Sequence, residues 1–338
     1  MRKLLVLAVL PFALLPLALV PTALSAASTG YHILNEIKIG GEGGWDYPTV
    51  DSGAQRLYVS HNSHVVVVDL ATNKVAGDIP DTPGVHGIAI ARDLNKGFIS
   101  NGRGNNVTIF DLKTLKATGT VATEMNPDDI TYDPVSKRVF AFNGRSRSAS
   151  VIDAKTDKVV ATIPLPGKPE FAVVDGKGKI YDNLEDTAEI VEIDTATAKV
   201  TKKYALTGCE GPSGLAMDTK ARRLFSVCGN RVMAVSDPDK GAIVATLPIG
   251  AGSDGVAFDP GTGYAISANG DGTMTIVQQT GGKYDVVENI ATERGARTIA
   301  VDEKTHRVYT PTATVGQAAA GGRAPYLPDS FKVLVIGK

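Results

Sequence analysis

The chain has 338 residues, 43 % of them hydrophobic and 21 % charged, with a formal net charge of −1. So apolar and so balanced a chain is not disordered, and a chain that bound nucleic acid along its whole length would be basic. Its 36 glycines, set against only 6 % aromatic residues, point to many tight turns.

The first predicted element is an export signal over residues 1–27. Arg2 and Lys3 precede an uncharged apolar run over 4–20, and "TALSAAS" offers cleavage after Ser25 or Ala27. Pro11, Pro16 and Pro21 interrupt the run, whereas a spanning helix wants about 20 apolar residues. No cysteine follows to carry a lipid anchor, and no later stretch is long enough to span a membrane. The expected mature chain, 28–338, has 311 residues and, without Arg2 and Lys3, a net charge of −3. It is expected in the periplasm or outside the cell.

From there the chain repeats about every 42 residues. Hydrophobic runs end in Asp51, Asp133, Asp175, Asp218, Asp259 and Asp302, with Ala91 at the missing place. A second ladder runs in phase: "VVVVDLATNKV", "VTIFDLKTLKA", "ASVIDAKTDKV" and "IVEIDTATAKV" supply Asp69, Asp111, Asp153 and Asp194. Ser236 and Gln278 continue it in two degenerate copies. Each unit holds four short runs rich in Val, Ile, Phe and Thr, joined by Asp-rich turns such as "DPVSK". No stretch has helical periodicity. Seven units of four antiparallel strands predict an all-β, seven-bladed β-propeller over 28–338. The seventh unit lacks a fourth strand, and "YHILNEIKIG" near the mature N-terminus resembles one. It is expected to close the last blade and remove an open sheet edge.

An antiparallel blade puts the start of its first strand and the end of its second on one face. Five residues before each first-ladder position stand Asp46, His86, Asp128, Glu170, Ser213, Asp254 and Arg297. At the ends of the second strands stand His61, Asn101, Asn143, Asn183, Cys228, Asn269 and Thr312. This face therefore collects acids, amides and histidines around the central opening. Two cation sets are readable. Glu170, Asn143, Asn183 and Asp254 offer oxygens that suit a hard ion such as calcium. Asp46, His61 and His86 suit a transition metal. Asp128 is the candidate general base should a metal activate water.

Loops at this face carry Arg103, Arg145 and Arg147, which suit carboxylate or phosphate ligands. Trp45, Tyr47, Phe142 and Phe171 are the nearby aromatics suited to stacking a nucleic-acid base, although the mature charge argues against strong binding. Cys209 and Cys228 fall on the same face, and an oxidising compartment favours their pairing. "GAGSDG" (250–255) matches a dinucleotide fingerprint in letters only, because it joins two strands with no helix. In the seventh unit the third strand comes late. The segment 312–330 is inserted there, a candidate lid with Arg323 and Tyr326 reaching inward.

"YVSHNSHVVVVDLATNKVAGDIP" and "VFAFNGRSRSASVIDAKTDKVVATIPLPGKPEFAVVD" resemble the YVTN repeat of secreted bacterial propellers, and residues 31–338 as a whole are similar to its YncE-like members. The resemblance implies export and a propeller that binds a ligand or partner; it implies no single reaction. The reading favoured by the sequence is a monomeric binding module that takes a protein, glycan or small molecule on the polar face. The alternatives are a metal-assisted hydrolase or lactonase built on the central ring, and a redox-partner propeller resembling quinoprotein dehydrogenase subunits. The last would hold no covalent haem, since no Cys-x-x-Cys-His motif occurs.

Overall fold

The computed structural model describes residues 28–41, 43–317 and 324–338. The predicted signal, 1–27, and Arg323 lie outside the described residues.

Seven four-stranded antiparallel sheets form the blades of a propeller. Blades 1 to 6 cover 48–79, 85–122, 127–164, 169–205, 212–248 and 253–291. Each lies in simple chain order, inner strand to outer strand. Blade 7 takes its first three strands from Ala300–Asp302, Arg307–Thr312 and Lys332–Gly337. Its outer strand is His32–Lys38, paired antiparallel with Lys332–Gly337. The seventh blade is thus closed by the N-terminal strand.

The two ladders are turn devices. At the end of an inner strand, the Asp side chain folds back to cap the next turn. Asp133 accepts Ser136 N at 2.9 Å and Ser136 Oγ at 2.7 Å. Asp51, Asp218, Asp259 and Asp302 do likewise. Ala91 cannot, and there the turn tightens into a single 3-10 turn, Arg92–Leu94, while Arg92 Nε reaches Asp51 of the previous blade at 2.6 Å. The second ladder is an Asp-x-x-Thr turn. Asp69, Asp111, Asp153 and Asp194 each accept both the N–H and the hydroxyl of the Thr three residues on. Both atoms of the Thr are satisfied by one carboxylate, so the hairpin is pinned at no cost to the ladder. In blade 5 the degenerate copy is repaired one position on: Asp237, not Ser236, accepts Asp239 N and Lys240 N.

The cores lie between blades. The middle strands alternate Val, Ile, Phe and Tyr, and their side chains meet those of the next blade. Leu57, Val59, Val66 and Val68 of blade 1, for example, pack on Tyr309, Val333 and Val335 of blade 7. Cys209 and Cys228 form the disulfide, with Cα atoms 5.4 Å apart, tying the approach to blade 5 to its second strand. No helix among the described residues is long and apolar enough to cross a membrane.

Candidate functional site

The inner strands are not regular where they start. In blades 2 to 6 the pairing with the second strand slips, between Val85/Ile88, Pro127/Ile130, Pro169/Ala172, Pro212/Leu215 and Ser253/Gly255. A bulge releases residues from the pleat and re-aims their side chains. The released residues include His86, Asp128, Glu170, Ser213 and Asp254, five of the seven expected ring members.

The residue after each ring member forms a second layer that sequence reasoning missed: Tyr47, Gly87, Asp129, Phe171, Gly214, Gly255 and Thr298. The glycines let neighbouring inner strands approach. A Cβ on Gly214 would lie 2.8 Å from the carbonyl oxygen of Asp254, and one on Gly255 3.0 Å from Ile299 N. The space left on the axis is taken by two rings. Tyr47 of blade 1 and Phe171 of blade 4 meet edge to face across the ring, centroids 4.8 Å apart. This pair stoppers the channel beneath the charged layer. On the far side a separate cavity of about 770 Å³ is lined by Arg92, Asp93, Tyr132 and Lys137.

Much of the ring stitches blade to blade. Thr298 Oγ1 donates to the Asp46 carbonyl at 2.8 Å, joining blades 7 and 1. Thr49 Oγ1 donates to the Ile88 carbonyl at 2.8 Å, joining 1 and 2. Ser100 Oγ donates to the Asp128 carbonyl, joining 2 and 3. Ala172 N donates to Asp129 at 3.0 Å, joining 3 and 4. Asn183 Nδ2 donates to the Ser213 carbonyl at 2.7 Å, and Ser213 Oγ to the Ser253 carbonyl at 3.2 Å. Arg297 Nε donates to Asp254 at 2.8 Å and closes the circle between 6 and 7.

Charges in the ring are paired in the same way. Arg297 also donates to the Trp45 carbonyl at 3.0 Å and lies over the Trp45 ring. Lys168 Nζ donates to Glu170 at 3.0 Å and to Glu185. His86 Nδ1 stands 2.6 Å from Asp46 Oδ2 and 3.4 Å from Asp128 Oδ1. One ligand atom each from Asp46, His86 and Asp128 lies within 4.8 Å of the other two. Burial works against a charged imidazole, but the bond to Asp46 and the charges of Asp128, Asp46 and Glu170 prevail and raise His86 to about 9. Burial raises the carboxyls of Asp128, Glu170 and Asp254, and the neighbouring acids raise them further. Below them, burial pushes Asp129 up to about 8 against the pull of two backbone N–H groups. Asp182 is buried and its carboxylate has no hydrogen-bond partner among the described residues; burial, and then the charge of Asp129, lift it well above the usual carboxylate range.

The ends of the second strands prove to be interior. His61, Asn101, Asn143, Asn183 and Asn269 are 0–1 % exposed and do not line the opening. Three of the asparagines brace the following hairpin. Asn101 Nδ2 bonds Asn106 and Thr108, Asn143 Nδ2 bonds Ser148 and Ser150, and Asn269 Nδ2 bonds Thr273 and Thr275. Asn183 spends Oδ1 on Ser226 as well as Nδ2 on blade 5. In the set Glu170, Asn143, Asn183 and Asp254, the oxygens of Glu170, Asn183 and Asp254 have protein partners, whereas Asn143 Oδ1 is buried and has none among the described residues. His61 turns away from Asp46 and His86. It stacks on Phe331 of blade 7 with centroids 4.2 Å apart, neither ring nitrogen has a partner among the described residues, and burial lowers it to about 4. Asp128, not His61, completes the cluster with Asp46 and His86.

The aromatics are likewise engaged inside the molecule. Phe142 is buried between blades, Tyr47 and Phe171 stopper the axis, and Trp45 is stacked on Phe331 and met at a tilt by Tyr326. None presents an open face to a base. Arg147 is paired with Asp186 at 2.7 Å, and the Cβ of Arg103 packs beside Gly84. The base of the 312–330 insertion is a short two-stranded stalk, where Gly316 N donates to the Pro325 carbonyl at 2.7 Å and Leu327 N to the Thr314 carbonyl at 2.8 Å. Tyr326 does reach inward, onto Trp45 at 4.7 Å.

No family model matches the chain, and no curated protein matches it in sequence. Among solved structures it is similar to Kuenenia stuttgartiensis hydrazine synthase, with a TM-score of 0.68 and 16 % identity over 79 % of this chain and 92 % of that one. At this identity the likeness shows the shared propeller fold alone.

Proposed function

We propose that the chain is an exported binding module of the YVTN-repeat kind, and that its ligand sits on the charged face above the Tyr47–Phe171 stopper. The observation that carries this reading is the stopper itself. It closes the axis beneath the face on which Asp46, His86, Asp128, Glu170, Asp254 and Arg297 gather. Ligand sites are concave, with a few convergent polar groups. The Asp-x-x-Thr turns and the asparagines that brace each second hairpin support the repeat assignment. The disulfide, and the absence among the described residues of a helix able to cross a membrane, are compatible with export.

A thermal-shift screen of small polar molecules tests the site. A ligand that stabilises the wild type should lose its effect in Asp128→Asn and Glu170→Gln and keep it in Arg92→Ala and Lys137→Ala, which alter the opposite cavity. The reverse pattern would move the site to that cavity. Export is tested by the intact mass of the secreted or periplasmic chain, which should begin at Ala26 or Ser28.

A further inference from the structure

We propose that Asp46, His86 and Asp128 form a three-residue binding site for a divalent transition-metal ion of the zinc type. The inference rests on the charged face being the ligand face and names what binds there first.

The three residues come from the inner strands, or their approaches, in blades 1, 2 and 3. Their spacing is therefore set by ring closure and not by one loop. Each offers one ligand atom within 4.8 Å of the others; His86 Nδ1 and Asp46 Oδ2, 2.6 Å apart, would move apart and Asp128 inward to reach the ~2.0–2.2 Å bonds of a zinc-type ion, which would take the place of the proton between imidazole and carboxylate. Imidazole with two carboxylates suits zinc or manganese better than calcium, which prefers six to eight oxygens.

A second observation points into the same spot. Asp128 is only 9 % exposed, and its carboxylate makes no hydrogen bond among the described residues. Its near basic atom is His86 Nδ1, at 3.4 Å. Its side chain keeps 13 % exposure toward the opening, and its one charged partner, His86, belongs to the cluster itself. Glu170 and Asp254 instead have bases outside the cluster, Lys168 and Arg297.

The surroundings hold the three in place. Asp46 is fixed at its N–H by Ser60 Oγ at 2.7 Å and at its carbonyl by Thr298. The Asp128 carbonyl is fixed by Ser100. Behind the imidazole, Nε2 lies 2.6 Å from where a Cβ on Gly102 would stand. Only glycine leaves His86 that room. Below, the Tyr47–Phe171 pair closes the axis, and the open side is left for water or a ligand atom on the metal.

The test is calorimetric titration of tag-free, chelator-treated full-length mature protein with zinc chloride, repeated with manganese and calcium chloride. The expected result is one zinc per chain with micromolar or tighter affinity, and calcium at least 100-fold weaker. Asp128→Asn and His86→Gln should each weaken zinc at least 10-fold. His61→Gln and His64→Gln should leave it unchanged. Circular dichroism in chelator confirms that the variants are folded, and cobalt absorption in the wild type gives an independent readout of the imidazole–carboxylate set. No saturable zinc binding, or binding that survives the Asp128→Asn, His86→Gln double variant, overturns the inference. If zinc fails while Asp128→Asn and Glu170→Gln still abolish a ligand's thermal shift, the metal falls and the binding module stands.

Discussion

Tyr47 and Phe171 belong to blades 1 and 4, which are not neighbours, yet their rings touch across the axis with centroids 4.8 Å apart. The contact spans the ring, so it reports on closure as well as on packing. Tyr47→Ala and Phe171→Ala should each cost about 3–5 kcal/mol by urea denaturation, as large aromatic truncations do. A double-mutant cycle should show a coupling of about 0.5–1.5 kcal/mol between them. Strict additivity would mean that the rings are in contact without supporting each other.

Reduction should weaken the approach to blade 5. The Cys209–Cys228 bridge closes a loop with a sequence separation of 19. In the chain-entropy model a loop near that length contributes roughly 3 kcal/mol. The Cys209→Ala, Cys228→Ala variant should unfold at a correspondingly lower urea concentration and lose its response to dithiothreitol. An unchanged midpoint would show that the bridge adds nothing to stability.

Stability should fall as pH rises from mildly acid to mildly alkaline. Asp129 and His86 act in the same sense, as do the raised carboxyls of Asp128, Glu170, Asp182 and Asp254. Asp129 is held up to about 8 by burial, so it carries a proton in the folded chain that the unfolded chain gives up near ~4. His86 is raised to about 9, because Asp46 and Asp128 outweigh the burial that opposes charge. Its contribution is complete below the unfolded value of ~6.5 and is lost as pH passes about 9. Asp129→Asn keeps an acceptor for Ala172 N and removes the proton dependence. It should be more stable than wild type at pH ~8, by an amount of order a few kcal/mol, and nearly equal at pH ~5. Parallel melting profiles for the two proteins across that range would refute the assignment.

Gly102→Ala should displace His86 without unfolding the chain. The new Cβ would collide with Nε2, the far end of a side chain that can move. In apo protein the His86 imidazole resonances should titrate near 9 in the wild type and shift toward the ordinary histidine value in the variant. A wild-type titration near ~6.5 would show that the ion pairs with Asp46 and Asp128 are not formed in solution.

The propeller was legible because two ladders of Asp kept phase, and because each Asp does the same local job of capping a turn. Phase also led to the charged ring, since Asp46, His86, Asp128 and Arg297 share one register position. It misled at the ends of the second strands. His61 shares a face of the molecule with Asp46, but strand alternation sends Ser60 toward the ring and His61 toward Phe331. Asn101, Asn143 and Asn269 share its fate, because that position lies inside the second hairpin, where an amide can bond the hydroxyls of the next strand. In blade 4 Leu184 takes that position, and Asn183, one residue earlier, faces blade 5. The stopper was not legible from residue type. Tyr, Gly, Asp, Phe, Gly, Gly and Thr have no chemistry in common; what unites them is one register position, which in blades 2 to 6 lies in a bulge, and bulges leave little trace in sequence. Tyr47 and Phe171 looked like candidates for base stacking for the same reason.

Blade 7 draws its outer strand from the start of the described chain and its other strands from the end, with His32 opposite Gly337. The strand Lys332–Gly337 is therefore needed for His32–Lys38 to find a partner. Six blades can form as the chain emerges, but they remain an arc with two raw edges until that strand arrives. Loss of Lys332–Gly337 would leave His32–Lys38 unpaired and both edges exposed to edge pairing and proteolysis.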